Sequence, residues 1–475
     1  MDWNTLLCEK RKRDHSTPVK SSDPRNEFQK DYHRIIESAS FRRLQDKTQV
    51  FPLDKSDFVR TRLTHSLEVS SFAKSLGQMI FQNVITYKQD SDVTEDIKEK
   101  ICSILECAGL IHDIGNPPFG HFGEDFIRDW FAKNLCQIEY NNQKIYKLLT
   151  KQMLNDFYHF EGNAQAIRLL TKLHFLVDEN GMNLNYTLLN TIIKYTVSSC
   201  EIDKDSGNIK DKKMGYFYAE KELFEDITNS TGAFGCRHPL AFILEAADDI
   251  AYKTADIEDA VKKGFISYSQ LLNELNRDLY IGRCVDEGER KEYDKAIEKL
   301  KYYYSHATEN NISSPEQNAI QRWIIYVQGV LLRCAAFGFT SNYKTIMNGE
   351  FEKEILTVSH GNALVYALGD IAFRYVFKSK TIYKLEISAG AIFEFLLNKF
   401  VDAAVNYGNE KEMTALDKRL MALISENYIK AYEIYSSGKD ENEKLYLRLM
   451  LVTDFICGMT DSYAKRLYQE LSGIM

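Results

Sequence analysis

The chain reads as an all-α, mainly helical protein. Apolar residues recur at i, i+3, i+4 and i+7 over long segments, alternating runs of strand length are scarce, and only seven Pro interrupt 475 residues. With 44% hydrophobic and 27% charged residues it is a folded globular chain, neither disordered nor a fibrous repeat. Nine Cys, never spaced Cys-x-x-Cys, argue against a disulfide framework and a thiolate zinc site. Met1-Asp-Trp-Asn opens without a basic and then apolar leader, and no stretch approaches the roughly 20 apolar residues of a bilayer span. No membrane association is expected, and the expected location is cytoplasmic. A net charge of −8 gives no overall attraction for nucleic acid or an anionic substrate, so such a partner requires a local basic pocket.

The first strong helix spans 58–84, where His65, Val69, Phe72, Leu76 and Met79 share a stripe that points His65 at the core. The second, 97–113, aligns Ile101, Leu105, Ala108 and His112, and stops at Gly115 and Pro117-Pro118. Helices follow over 124–135, 161–173, 186–197 and 239–262, the last placing Asp248 on a face with Leu244, Ala251 and Ala255. Further helices are expected over 287–308, 315–336, 360–377, 388–405, 412–435 and 441–471. The polar segments Glu201–Met214 and Ser305–Ser314 read as exposed loops, and Lys10–Arg25 as mobile. The expected organisation is an N-terminal segment (1–35), a core (36–265) and a C-terminal helical region (266–475).

Five of the ten His (His65, His112, His121, His159 and His174) fall between residues 65 and 174. One inward His is usually a hydrogen-bonded core residue. Here a second, His112, carries Asp113 beside it at a helix end where the backbone is turning, and Asp248 is a third inward polar group. Burying unpaired carboxylates is costly, and one cation held by His65, His112, Asp113 and Asp248 removes that cost for both. The set mixes nitrogen and oxygen ligands and suits Mn²⁺, Fe²⁺, Co²⁺ or Zn²⁺.

The pattern His…His-Asp…Asp resembles the HD phosphohydrolase superfamily. The surrounding blocks resemble its bacterial deoxyguanosine triphosphate triphosphohydrolases (dGTPases): Phe41–Phe51, Arg60–Val69, Ala108–Glu124, His159–Gln165, Glu245–Tyr252 and, more weakly, Met450–Ala464. The resemblance spans most of the chain. It implies hydrolysis of dGTP to deoxyguanosine and triphosphate by water attack at the α-phosphorus, with one divalent metal per site, Mn²⁺ or Mg²⁺ first. It assigns His65, His112, Asp113 and Asp248 to the metal. Asp249 is the alternative to Asp248, which is preferred because the spacing Asp248, Tyr252, Asp256 matches the family.

The resemblance makes His121 and Glu124 the catalytic pair. Locally, Glu124 would equally suit the first turn of a helix. Phosphate contacts fall to Arg62, Lys194, Tyr195, Lys213 and Tyr252, although isolated lysines are usually solvated. Asn163 matches a substrate contact, or else caps the helix after it. Gln49, Val50 and Asp256 are implied at base and sugar, and Phe377, Glu386 and Arg419 at guanine. The resemblance further implies a homo-oligomer, a hexamer, with single-stranded DNA as a regulator. Near Asn409–Glu412 the sequence departs from it, with Glu410-Lys411-Glu412 where one member type places a cross-subunit arginine. The alternatives are a broader dNTP or other nucleotide phosphohydrolase, and a regulatory nucleotide- or single-stranded-DNA-binding protein with a structural metal.

Overall fold

The computed structural model describes residues 1–13, 23–53, 59–175, 178–409 and 411–474. Among these, α-helices dominate, and the strands form only two small ladders: Glu139–Tyr140 antiparallel to Gln143–Lys144, and Val197–Ser198 parallel to Met214–Tyr216. The all-α expectation holds.

The centre is the pair Arg62–Asn83 and Glu95–Ile111, the most extensively packed helices in the molecule. Thr61 caps the first and Thr94 the second, each accepting a backbone N–H three residues on. Their close approach depends on Gly109, where an added Cβ would lie 2.4 Å from Ser70 Cα. Gly109→Ala is therefore expected to cost about 1–3 kcal/mol by forcing the helices apart, seen as a lowered midpoint in thermal melts. Helix Pro239–Lys262 crosses this pair and buries Leu244, Ile250, Ala251 and Ala255. Helix Pro315–Ser341 packs against both Pro239–Lys262 and Arg62–Asn83.

Pro315–Ser341 corrects the sequence reading in one respect, because by length and composition it is apolar enough to cross a membrane. Trp323, Val327, Leu331 and Phe339 on it are fully buried against neighbouring helices, while Ile325 and Phe337 on the same helix are exposed. Arg322, Gln328 and Arg333 interrupt the run and hid it from a scan for continuous apolar residues.

Other boundaries shift for local reasons. The start of the 58–84 helix lies partly outside the described residues. The helix expected over 124–135 begins at His121. That over 186–197 stops at Thr191, leaving Lys194 and Tyr195 outside any helix. The 412–435 prediction resolves into Ala415–Met421 and Glu426–Ser436, and 441–471 into Glu441–Cys457 and Asp461–Leu471. At the second break Gly458 lies against Tyr428: a Cβ there would sit 2.3 Å from Tyr428 Oη. The Glu201–Met214 loop is not wholly exposed, since Ile209 and Met214 are buried. Ser305–Glu309 belongs to the preceding helix. Arg11 is also buried, in an ion pair with Asp31 at 2.6 Å, so Lys10–Arg13 is anchored, while residues 14–22 of the stretch expected to be mobile lie outside the description.

The C-terminal helices dock on the core through buried charge. Arg168 reaches Asp454 at 2.7 Å and Glu220 at 2.8 Å, and Gln165 donates to Asp454 at 2.9 Å. Every charge in the cluster has an opposite partner, which is what makes its burial tolerable.

Candidate active site

His65 and His112 face each other from the two central helices, with ring centroids 5.3 Å apart. His112 closes the helix Glu95–Ile111 and donates Nδ1–H to the Gly109 carbonyl at 2.8 Å. A carbonyl only accepts, so the proton sits on Nδ1 and the Nε2 lone pair points outward, buried and without a hydrogen-bond partner. Nitrogen atoms of the two imidazoles and an oxygen of Asp113 all lie within 4.8 Å of one another. Asp248 Oδ1 adds a fourth group, 3.2 Å from His65 Nε2 and 3.4 Å from His112 Nε2. The orphaned Nε2 and the convergent carboxylates fit a divalent cation.

The electrostatics are strongly coupled. Burial alone would raise both carboxyls. Arg62 and His112 hold Asp113 well below the usual carboxylate range, and Lys194 and His112 do the same for Asp248. Burial opposes charge on His112, yet Asp113 and Asp248 raise its pKa above 6.5. Arg62 pairs with Asp113 Oδ2, and Lys194 Nζ lies 2.8 Å from Asp248 Oδ2. Asp249, the sequence alternative, instead meets Lys253 at 3.1 Å. Burial pushes its carboxyl up to about 6, and it makes no hydrogen bond or ion pair with either imidazole.

After Asp113 the chain turns through Gly115, Pro117 and Pro118 to Gly120, at φ 61° and ψ −130°. Only glycine adopts that backbone freely, and a Cβ there would lie 2.6 Å from Arg62 Nη2. The turn delivers His121 and Glu124 to one helical first turn, with His121 Nδ1 3.1 Å from Glu124 Oε2. Glu124 is buried, and its Oε1 accepts the Gly162 amide at 2.8 Å, while the His121 side chain is 72% exposed. The hydrogen bond to Glu124 raises the His121 pKa above 6.5 against the pull of desolvation. Burial would raise Glu124, but its bond to His121 wins and brings it to about 2.

Glu161 organises the next group. Its carboxylate accepts from Asn163 Nδ2 at 2.7 Å and pairs with Lys213 Nζ at 2.8 Å, while Arg128 lies 3.8 Å away. Asn163 therefore sits inside the helix Gly162–Arg168 and does not cap it; the N-cap position is Glu161. Lys213 also lies over the Tyr195 ring, 5.9 Å from its centroid. Tyr252 stacks on Phe377 at 6.4 Å and 26°. One helical turn beyond Tyr252, Asp256 has both carboxylate oxygens buried without a hydrogen-bond partner, and burial followed by the nearby Asp259 pushes its pKa well above normal.

Gln49 and Val50 reach this region because Thr48 bridges Thr61 and the Arg62 amide donates to Lys47 O at 2.9 Å. Gln49 Oε1 is buried without a partner, and Val50 is buried. No hydrogen bond or ion pair among the described residues ties Glu386 or Arg419 to the rest: Glu386 is half-buried in Lys380–Val405, and Arg419 is exposed in Ala415–Met421. Glu410 lies outside the described residues. His159 is a helix C-cap, and His174 Nδ1 lies 3.3 Å from Ser40 Oγ.

The cations expected to form a basic pocket are not free charges. Arg62, Lys194, Lys213 and Arg128 are present, but each already faces a carboxylate: Asp113, Asp248, Glu161 and Asp125, respectively. Sequence reasoning missed Glu161, which lay inside a recognised block, and the buried Lys47 and Asp461, whose partners are distant in sequence.

An HD-domain family model matches residues 62–186. Over 478 residues, the whole length of both chains, the protein is 48% identical to a deoxyguanosinetriphosphate triphosphohydrolase-like protein of Listeria innocua serovar 6a. It is 32% identical to a probable deoxyguanosinetriphosphate triphosphohydrolase of Pseudomonas aeruginosa and to a deoxyguanosinetriphosphate triphosphohydrolase of Yersinia pseudotuberculosis, in each case over 94% of this chain and 93% of the relative. With the paired imidazoles, the carboxylates and these full-length matches in hand, the chain belongs to the deoxyguanosinetriphosphate triphosphohydrolase-like family of HD-domain proteins, and it is a hydrolase.

Proposed function

We propose that this protein hydrolyses dGTP to deoxyguanosine and triphosphate by water attack at the α-phosphorus, with a divalent cation, Mn²⁺ or Mg²⁺, held by His65, His112, Asp113 and Asp248. One observation carries the reading: Arg62 joins the two halves of the site, pairing with Asp113 while the turn bearing His121 lies on its guanidinium. The chemistry such a cation supplies is Lewis acidity toward the α-phosphate and acidification of the attacking water.

The remaining steps belong to side chains. Glu124 holds His121 Nδ1 and favours the charged ring, so that Nε2 is the proton donor to the departing nucleoside 5′-oxygen. Arg62, Lys194, Lys213, Tyr195 and Tyr252 surround the phosphates, and Asn163 is held beside them by Glu161. Because the nearby cations are already paired, compensating the carboxylates with a divalent cation is what makes room for about four substrate charges. Asp256, whose two carboxylate oxygens are buried without a hydrogen-bond partner, suits the 3′-hydroxyl. Gln49 and Val50 line the base and sugar side, where a wall tight around C2′ rejects ribonucleotides. Phe377 stacks near the base beside Tyr252, and family resemblance alone supports Glu386 and Arg419 at guanine. The same resemblance supports a cytoplasmic homo-hexamer regulated by single-stranded DNA, which light scattering with and without the oligonucleotide tests.

The direct experiment profiles purified protein against the four dNTPs and GTP with Mn²⁺ or Mg²⁺. Triphosphate released from dGTP first and GTP last is the expected result. Several dNTPs cleaved equally would favour the broader substrate reading, and no triphosphate from any of them would overturn the proposal. Lys213→Ala is expected to raise KM about tenfold or more with a smaller change in kcat, because the ammonium meets phosphate in ground and transition states alike. Initial rates over a dGTP series check this.

A further inference from the structure

The helix Asp461–Leu471 begins far from the metal-site candidates in sequence, yet its first residue holds two segments of the site together. Asp461 is almost fully buried. Its Oδ1 accepts the Phe119 amide at 2.8 Å. Its Oδ2 accepts the Thr48 amide at 3.0 Å and also the Thr48 hydroxyl. Helix capping does not explain this, because Thr460 fills that role by accepting the Tyr463 amide at 3.2 Å.

The same junction makes two further ties. Ser462 Oγ donates to Asp46 Oδ1 at 2.8 Å, and Lys47 Nζ spans from Cys457 O to Asn116 O, 2.6 Å from each. Phe119 lies two residues before His121, and Thr48 lies immediately before Gln49 and Val50. We propose that Asp461 is a positioning residue: its carboxylate sets the separation between the turn that presents His121 and the loop that presents Gln49 and Val50. The inference rests on the dGTP-hydrolysing role assigned to that site.

A carboxylate suits the place because all three of its partners donate and it only accepts. In Asp461→Asn the amide nitrogen would confront a donor, leaving a buried N–H unpaired on one segment or the other. Hydrogen exchange on the full-length protein reads this directly. Peptides covering 47–51 and 117–121 should both exchange at least tenfold faster in Asp461→Asn, with the helix Pro315–Ser341 unchanged. In turnover, kcat/KM for dGTP should fall about 10–100-fold, as for loss of an orienting partner, and the preference for dGTP over GTP should shrink. Adding Asp461→Asn to His121→Ala should cost less kcat than adding it to the parent.

Asp156→Asn removes a buried carboxylate that holds Ser199 and Tyr446. It should lower the melting temperature while preserving the dGTP to GTP ratio. Should Asp461→Asn fail to fold, Thr48→Val removes one of the three bonds and should move the exchange and the ratio in the same direction by a smaller factor. Unchanged exchange in both peptides overturns the proposal, and so does a loss of activity that preserves the ratio and is fully additive with His121→Ala. A parent protein that cleaves no dNTP would overturn the functional reading, whereas the exchange experiment would still decide whether Asp461 holds the two segments.

Discussion

Asp248→Asn is expected to reduce kcat/KM for dGTP by about 10³-fold or more. It loses the charge that faces both imidazoles and that lies 2.8 Å from Lys194. Several kcal/mol of transition-state stabilisation are at stake at such a centre, at 1.36 kcal/mol per tenfold. The half-buried Lys194 is left without its partner, so lower thermal stability accompanies the lost activity. Metal titration followed by calorimetry distinguishes the two effects: the variant should bind Mn²⁺ far more weakly even at temperatures where it is folded. Asp249→Asn, one residue on, should retain Mn²⁺ affinity, because Asp249 pairs with Lys253.

His121→Ala should lower kcat by about 10²–10⁴-fold, the range for a positioned proton donor, with little change in KM. The pH profile gives a sharper test. Contact with Glu124 raises the His121 pKa above 6.5, so the acid form persists to higher pH and activity falls as pH rises through that value. Glu124→Gln removes the cause, and the alkaline limb should move to lower pH. For stability the signs are opposite. The contribution of His121 is complete below 6.5 and is lost as pH rises through its folded pKa. That of Glu124, brought from 4.5 to about 2, is present above 4.5 and is lost as pH falls toward 2. Glu124→Gln also disturbs the acceptor of the Gly162 amide, so some loss of stability is expected beside the kinetic shift.

What the sequence revealed was local and periodic. His65, His112 and Asp248 announced themselves by occupying apolar stripes, and the Gly and Pro after Asp113 marked a chain reversal. The stripe on the first helix was nevertheless read one position off in part: Ala73 and Ile80 are fully buried where Phe72 and Met79 were expected. The breaks near Ser425 and Gly458 were invisible because apolar periodicity runs through them, and Gly458 meets Tyr428, a residue thirty positions earlier. Asp461, Lys47 and the pairing of Glu161 with Lys213 escaped because their meaning lies in partners tens to hundreds of residues away, which no window detects. The pairing of each pocket cation was equally beyond the sequence: Arg62, Lys194 and Lys213 were legible as positive charge, but not as charge already matched.

The position of bond cleavage tests the central claim most directly. Turnover of dGTP in ¹⁸O-labelled water with Mn²⁺ should place one label in the released triphosphate and none in deoxyguanosine, since water attacks the α-phosphorus and the 5′-oxygen departs with the nucleoside. Label in deoxyguanosine, or release of pyrophosphate or phosphate in place of triphosphate, would contradict the account.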